Sequence, residues 1–374
     1  MDNLTHSLFA LTLARTPLGR QGRGTTAALL LASNAPDIDI VATAAGAAKY
    51  LEWHRGPTHG PLGVVGLGFV VAAIVALIYR AWDTPGAPSR ATFRALWLVS
   101  GFGVLCHVLM DLPTSYGTRP LSPFSWTWMA EDWLPIIDIY LLAMLALGVL
   151  IDVARSRRAR LERSSGRPAP GRVSSVAVAL VFMALNYGLH AVAHHRALAV
   201  APQAFGALPP PCADAVPPGA LIDRWPRAST APRDRAATRC LVEIAALPDF
   251  VSPFRWRLVA QLSNGYEVRS IDLLARDPRL AVDGRLTSTH YPNQWTPAVQ
   301  KASASRIARV FLGFSRFPAV RSEIDASGNA LVRWTDIRFD AEGTRGPRRR
   351  GASLFGATIQ VGTDGTILSE RLGS

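Results

Sequence analysis

The residues with the most chemical potential lie between Trp53 and Gly60. There the order Trp-His-Arg-Gly-Pro-Thr-His-Gly sets His54, Arg55 and His59 on a short polar loop, just ahead of a long apolar run that starts near Pro61. Successive helical residues turn by about 100°, so histidines five apart do not share a helical face. Gly56 and Pro57 break any helix, and only a loop can bring both rings to one point. Upstream, Pro36-Asp37-Ile38-Asp39 offers two carboxylates. Downstream, His107 and Asp111 stand four apart in an apolar stretch, and Asp2 and His6 repeat that spacing with the order reversed. Residues four apart on a helix point the same way and can hold one ion. An aspartate or histidine in an apolar segment costs several kcal/mol unless it is paired, metal-bound or hydrated.

The candidate metal ligands are therefore Asp2, His6, Asp37, Asp39, His54, His59, His107 and Asp111. A nitrogen and oxygen donor set without cysteine suits a divalent ion, zinc first and manganese or iron next. The set exceeds what one tetrahedral ion needs, which leaves room for two ions sharing a bridging carboxylate, able to activate water against an ester or phosphoryl group. Arg55, Arg119 and Tyr116 are placed to meet an anionic substrate oxygen. Asp39 or Asp138, if not bound to metal, would act as general base or acid. Blander roles compete: Asp37, Asp39 and Asp138 could cap helices, Asp138 could pair with Arg119, His107 and Asp111 could simply bond each other, and His54, His59, His190, His194 and His195 could be interfacial.

These residues need elements to position them. Leu4 to about Leu18 reads as a short amphipathic helix and Ala27 to Ala35 as a second short apolar segment. Four stretches reach spanning length: Pro61 to Tyr79, Ala95 to Leu112, Leu134 to Val153 and Val173 to Val192. The expected fold is a membrane all-α helical bundle of four clear transmembrane helices plus two short N-terminal helices, followed by an α+β extracytoplasmic domain. Domains are expected at 1–195 (membrane), 196–225 (a stiff proline-rich linker) and 226–374.

Arginine counts set the orientation. The 154–172 loop carries seven arginines against one glutamate, and Arg80, Arg90 and Arg94 follow the first clear span, so both loops should be cytoplasmic. The His54 loop and all that follows the fourth span should then lie outside, with the scattered ligands on that outer side. Hydrophobic residues make up 49% of the chain, which suits a membrane protein. The formal charge of +13 comes almost wholly from dispersed arginines, Lys49 and Lys301 being the only lysines, so no nucleic-acid partner is expected. Cys212 and Cys240 could form a disulfide if the distal part is outside, whereas Cys106 reads as a small core residue.

Beyond the linker the pattern turns to strands. Phe254, Trp256, Leu258 and Ala260 alternate, Asn264-Gly265 signals a turn, and a partner strand runs through Val268. Leu331 to Phe339 and Leu354 to Val361 repeat the alternation, the latter followed by Asp364-Gly365 and Ile367. Thr296 and Pro297 open a helix to about Leu312.

Four motifs together carry a family resemblance: Met-Asp-x-x-Thr-His-Ser at the start, Pro-Asp-x-Asp at 36–39, His-Arg-Gly-x-Thr-His at 54–59, and His-x-x-x-Asp followed by Ser-Tyr-Gly-Thr-x-x-Leu-x-Pro-Phe-Ser at 107–125. With these the first 150 to 190 residues resemble the bacterial inner-membrane family described as metal-dependent hydrolases and also labelled LexA-binding. Gly60 stands where a serine is expected and Ser115 where many members have threonine. The resemblance implies a membrane-bound hydrolase whose motif positions fall on Asp2, His6, Asp37, Asp39, His54, His59, His107 and Asp111.

The expected function is hydrolysis of an ester or phosphoester, in a lipid or lipid-linked molecule, at the inner membrane, with the distal domain periplasmic and open to a protein partner. Two rivals stand beside it: a metal-binding or transport protein, and a non-enzymatic anchor whose C-terminal domain binds a partner.

Overall fold

The computed structural model describes residues 1–82, 88–164, 175–213, 215, 221–226, 239–277, 288–339 and 355–373. Arg167 and Arg172 of the arginine-rich loop, Pro217 and Pro218 of the linker, and Leu354 lie outside the described residues. Two compact units divide the chain. The first comprises Met1–Asp39, Arg55–Trp126 and Trp133–Ala191, and the second Ile40–His54, Thr127–Asp132 and Val192–Ser374.

In the first unit, α1 (Asn3–Leu13) is capped by Asp2, which accepts from the Thr5 amide at 3.0 Å and the Thr5 hydroxyl at 2.6 Å. It ends before Leu18 because Thr16 caps a separate 3-10 turn, Pro17–Arg20. Helix α2 (Thr25–Ala32) bends by 45° into a 3-10 run, Ala35–Ala45. Four longer helices are apolar and long enough to cross a membrane: α4 (Pro61–Ala81), α5 (Phe93–Asp111), α6 (Ile139–Ser164) and α7 (Ser175–Phe205).

Helix α1 packs on α6, burying Phe9 and Leu13 with Leu141 and Leu145. Helix α2 fills the space beside α4 and α5 with Ala28 and Ala32 against Val71, Ala72 and Val104. A Cβ on Gly68 would lie 2.8 Å from the Gly101 backbone, so these glycines let α4 and α5 touch. The same helices expose Val65, Phe69, Ile74 and Leu77 on α4 and Leu98, Phe102 and Leu109 on α5, a surface that suits lipid and not water.

Two spans differ from their expected bounds. The third begins at Ile139, not Leu134, because Leu134 is held in a bridge to Thr114 and its amide donates to Pro113. Asp138 thus precedes the helix instead of lying a turn inside it. The fourth runs to Phe205, through His190, His194 and His195 and into the stretch expected as linker.

In the second unit, Ala193, Ala197, Ala201, Ala204 and Phe205 of α7 pack on Trp256, Leu258 and Ala260. Those residues belong to an antiparallel sheet of β3 (Leu241–Pro248), β4 (Arg255–Leu262), β5 (Gly265–Asp272) and β6 (Ser288–Pro292) in that order. The β4–β5 hairpin turns at Ser263-Asn264, one residue earlier than expected, and Gly265 opens β5 opposite Leu262. The other four-stranded sheet has the order β10 (Ile367–Leu372), β9 (Gly356–Val361), β8 (Ala330–Asp336), β7 (Pro318–Ile324). On it lie α8 (Pro297–Ser303) and α9 (Arg306–Phe314), two helices where one was expected, because Ser305 caps a new start. The sheets meet through Val259, Tyr266, Phe317 and Ala319.

Also in this unit are α3 (Ala47–Trp53) and a ribbon of β1 (Trp128–Ala130) with β2 (Asp223–Trp225). Cys212 and Cys240 are bonded, with Cα atoms 5.1 Å apart.

Candidate metal centre

Four side chains from separate pieces of the first unit converge. Asp37 comes from the 3-10 run after α2, His59 from the 3-10 turn Pro57–His59, and His107 and Asp111 from the last turn of α5. His107 Nε2 is the hub, 3.3 Å from His59 Nε2, 3.5 Å from Asp37 Oδ1 and 3.4 Å from Asp111 Oδ2. His59 Nε2 lies 3.5 Å from Asp111 Oδ2 and 3.7 Å from Asp37 Oδ1. Of the two histidines spaced by five only His59 arrives, where it meets both members of the His107/Asp111 pair.

The remaining atoms fix the orientation. His107 Nδ1 is 2.8 Å from the Ser33 carbonyl, so it carries the proton and Nε2 keeps the lone pair. His59 Nδ1 is 3.0 Å from the Thr58 hydroxyl and 3.9 Å from Asp39 Oδ2, which turns its Nε2 to the centre. Asp111 Oδ1 receives Arg55 Nη2 at 3.3 Å and contacts the amino-terminal nitrogen of Met1, leaving Oδ2 to the rings. His6 stacks on His107 with centroids 3.9 Å apart and sets Nε2 3.6 Å from Asp111 Oδ1.

Arg55 sits at φ +53°, a left-handed backbone. Its amide donates to Asp39 Oδ2 at 2.7 Å, Nη1 donates to the Gly117 carbonyl at 2.8 Å, and the guanidinium stacks over Tyr116 at 4.6 Å. Asp39 therefore holds the backbone between the two histidine positions. The Arg119 amide donates to the Arg55 carbonyl, and its guanidinium lies over Trp126.

Two aspartates are engaged as caps. Asp2 serves α1, and Asp138 serves α6, accepting from the Tyr140 and Leu141 amides while its other oxygen accepts from Asn186 at 2.6 Å. His54 belongs to the second unit, its ring against Tyr50 at 4.5 Å. His190 bonds the Asn186 carbonyl one turn back, and His194 packs on Trp256. Ser33, Thr58 and Gly117 were not candidates. Ser33 and Gly117 act through backbone carbonyls, which leave no side-chain signature, while the Thr58 hydroxyl next to His59 was readable.

Burial governs the electrostatics. His6 and His59 are each held down at about 4, chiefly by burial, so both rings are neutral and able to donate a lone pair at neutral pH. Both ring nitrogens of His6 and Asp111 Oδ2 are buried and lack a hydrogen bond among the described residues. Orphaned donors and acceptors of this kind suit a cation. Nitrogen and oxygen ligands 2.0–2.1 Å from a tetrahedral ion lie about 3.3–3.4 Å apart, close to the five distances above. The residues therefore fit a divalent ion in two groups that share His107: Asp37, His59 and His107, and His6, His107 and Asp111; Asp111 Oδ2 also lies 3.5 Å from His59 Nε2.

No solved structure matches the chain. An uncharacterized protein of Bacillus subtilis (strain 168), YfhP, is 36% identical over 114 residues, 30% of this chain; the chain spans about a third (32%) of that relative's length. The YdjM inner membrane protein family matches residues 1–197, which hold all four converging side chains, and the chain belongs to that family.

Proposed function

We propose that this protein is a metal-dependent hydrolase of the inner membrane acting on an ester or phosphoester of a lipid or lipid-linked molecule. The observation that supports the reading best is the 3.3–3.7 Å spacing of His59 and His107 Nε2 from each other and from the Asp37 and Asp111 oxygens, with His107 Nδ1 already committed to Ser33. A divalent ion held there, zinc first by donor type, would supply Lewis acidity toward a scissile oxygen and toward water. His107 has a single lone pair to give, and Arg55 already lies on Asp111 Oδ1, so one ion suits the site better than two. Arg55 Nε is buried without an acceptor among the described residues and is the donor for an anionic substrate oxygen. Asp39 positions His59 and Arg55. Asp138 is committed to Asn186 and the α6 cap. That leaves Asp37, whose side chain is 19% exposed where those of His59, His107 and Asp111 are sealed, beside the approach for substrate and water.

The disulfide supports a periplasmic second unit, since such bonds persist in oxidising compartments. The position of the centre at one end of two apolar helices supports a lipid substrate.

The burial of three of the four side chains also favours a second reading, in which the ion staples the 3-10 run after α2, the Pro57–His59 turn and α5 without turnover. One experiment separates the two: metal content and hydrolysis of a panel of lipid esters and phosphoesters by the purified protein, beside His59→Ala and Asp111→Ala. We expect one ion per chain and turnover, both lost in the variants. Turnover that survives both substitutions overturns the hydrolase centre; bound metal with no turnover leaves the structural role.

A further inference from the structure

We infer that one end of the β3–β4–β5 sheet is an interfacial anchor, at which Phe250, Val251 and Leu274 insert into the lipid surface and hold the second unit on the bilayer. Helix α7 shows which end that is. Its exposed residues Val178, Val181, Leu185, Leu189 and Val192 recur at helical spacing as a lipid-facing stripe. The stripe stops at Val192, and Ala193, Ala197 and Ala201 are buried against the sheet instead. The edge of the hydrocarbon layer therefore lies near Val192.

Contacts along α7 give the direction of the strands. His194, just past that edge, has its ring 5.5 Å from Trp256 at the start of β4. Phe205, where α7 finishes, lies under the Arg269 guanidinium at 5.7 Å, and the chain that follows bridges Pro211 to Leu241, which pairs with Leu262 at the finish of β4. The Trp256 end of the sheet is thus the lipid end, and the Ser263-Asn264 turn is the far one. Trp256 pairs with Pro248 of β3 and Ile271 of β5, so the 249–254 connection and the chain leaving β5 both emerge at the lipid end.

What emerges there is apolar. Phe250, Val251 and Leu274 are 57%, 61% and 71% exposed. The neighbouring carboxylates turn back on the chain: Asp249 accepts from the Val251 and Ser252 amides at 2.8 and 3.0 Å, and Asp272 accepts from the Leu274 amide at 2.9 Å. Backbone groups at the tip thereby find partners within it, as a lipid surface demands, while the large side chains point outward. A single exposed apolar residue on a water-facing surface needs no explanation. Three at the one end that borders the bilayer select lipid as the occupant, in continuity with the stripe on α7. The anchor is independent of the metal centre and stands or falls without it.

The test is site-directed spin labelling of the full chain in nanodiscs of palmitoyloleoylphosphatidylglycerol and palmitoyloleoylphosphatidylethanolamine. Cys106→Ala is the background, and the label is carried by Phe250→Cys, by Leu274→Cys or, at the far turn, by Asn264→Cys. All three positions are exposed, so the label leaves the packing alone. We expect the labels at 250 and 274 to collide freely with oxygen and about tenfold less often with a water-soluble nickel chelate than the label at 264, as groups about 5–10 Å below the headgroups do. Nickel collisions at 250 and 274 equal to those at 264 would overturn the inference. So would shielding of both positions from oxygen as well as nickel, the mark of a protein cover.

Discussion

His107 Nδ1–H donates to the carbonyl of Ser33 at 2.8 Å, a bond between the last turn of one apolar helix and the C-terminal cap of another. The bond fixes both the tautomer and the tilt of the ring, so the packing of α2 on α5 is also the tuning of the centre. Gly103 sets that packing, since a Cβ there would lie 3.0 Å from Ala32 Cβ and 3.4 Å from Ser33 Oγ. Gly103→Ala should weaken metal affinity about 10-fold, within the range for disturbed outer partners of a ligand, while stoichiometry stays at one ion. Competition with a chromophoric chelator measures it, and an unchanged affinity would mean that the Ser33 contact has no part in tuning.

Asp39 acts on the centre through His59 and Arg55. Asp39→Asn keeps the shape but weakens the acceptor for the Arg55 amide and the field on His59 Nδ1. The expected result is about 10- to 100-fold lower metal affinity, with kcat falling more than KM changes. A variant that binds metal as the wild type does would show that Asp39 only braces the loop.

Asp138 should separate stability from chemistry. Asp138→Ala removes the α6 cap and strands the Asn186 amide, costing about 1–3 kcal/mol. Metal content should not change. Chemical denaturation with a parallel metal assay checks both halves, and loss of metal would return Asp138 to the centre.

The pH dependence of the metal-free protein follows from its buried rings. His6 and His59 titrate at about 4 when folded and near 6.5 when unfolded, because burial disfavours the charged ring. A depressed folded value means the unfolded chain takes up protons first as pH falls. The contribution of these rings is complete above about 6.5 and is lost as pH falls toward 4. The midpoint of thermal unfolding, measured after chelation, should fall across that window, and less steeply in His6→Phe.

In the second unit Arg316 gathers three acids: Asp132, Asp223 at 3.0 Å and Glu243 at 3.4 Å. Burial pushes Asp132 above the usual carboxylate range. Arg316→Met would take from the buried Asp132 its guanidinium partner, for a loss of about 3–5 kcal/mol. Protonation relieves such a defect, so the variant should regain part of its stability near pH 5. Tryptophan fluorescence follows it, since Trp128 stacks on Trp225 beside the cluster.

The centre was legible where chemistry and context coincide. His59, His107 and Asp111 combine ligand type, spacing and an apolar neighbourhood that makes an unpartnered polar group costly. Asp2 and Asp138 have the ligand type too, but each stands just before a helix, where an acid is more useful to the backbone. The capping alternative was visible, and only packing could choose. In the distal part, alternation located β4, β5, β8 and β9 because each has a buried face. The alanines at 193, 197, 201 and 204 were a readable helical face that the histidines beside them obscured. The partnership of Asp132 with Arg316, 184 residues apart, has no local pattern from which to be read.

The touching glycines of α4 and α5 have one more consequence. Gly68 against Gly101 forbids either helix to slide along the other without parting from it. The candidate ligands are thereby held at one end of a ruler of about 20 residues, roughly 30 Å long, the thickness of the hydrocarbon layer, with Arg80 and Arg90 at the other. Whatever chemistry the carboxylates and imidazoles perform would be confined to a single leaflet.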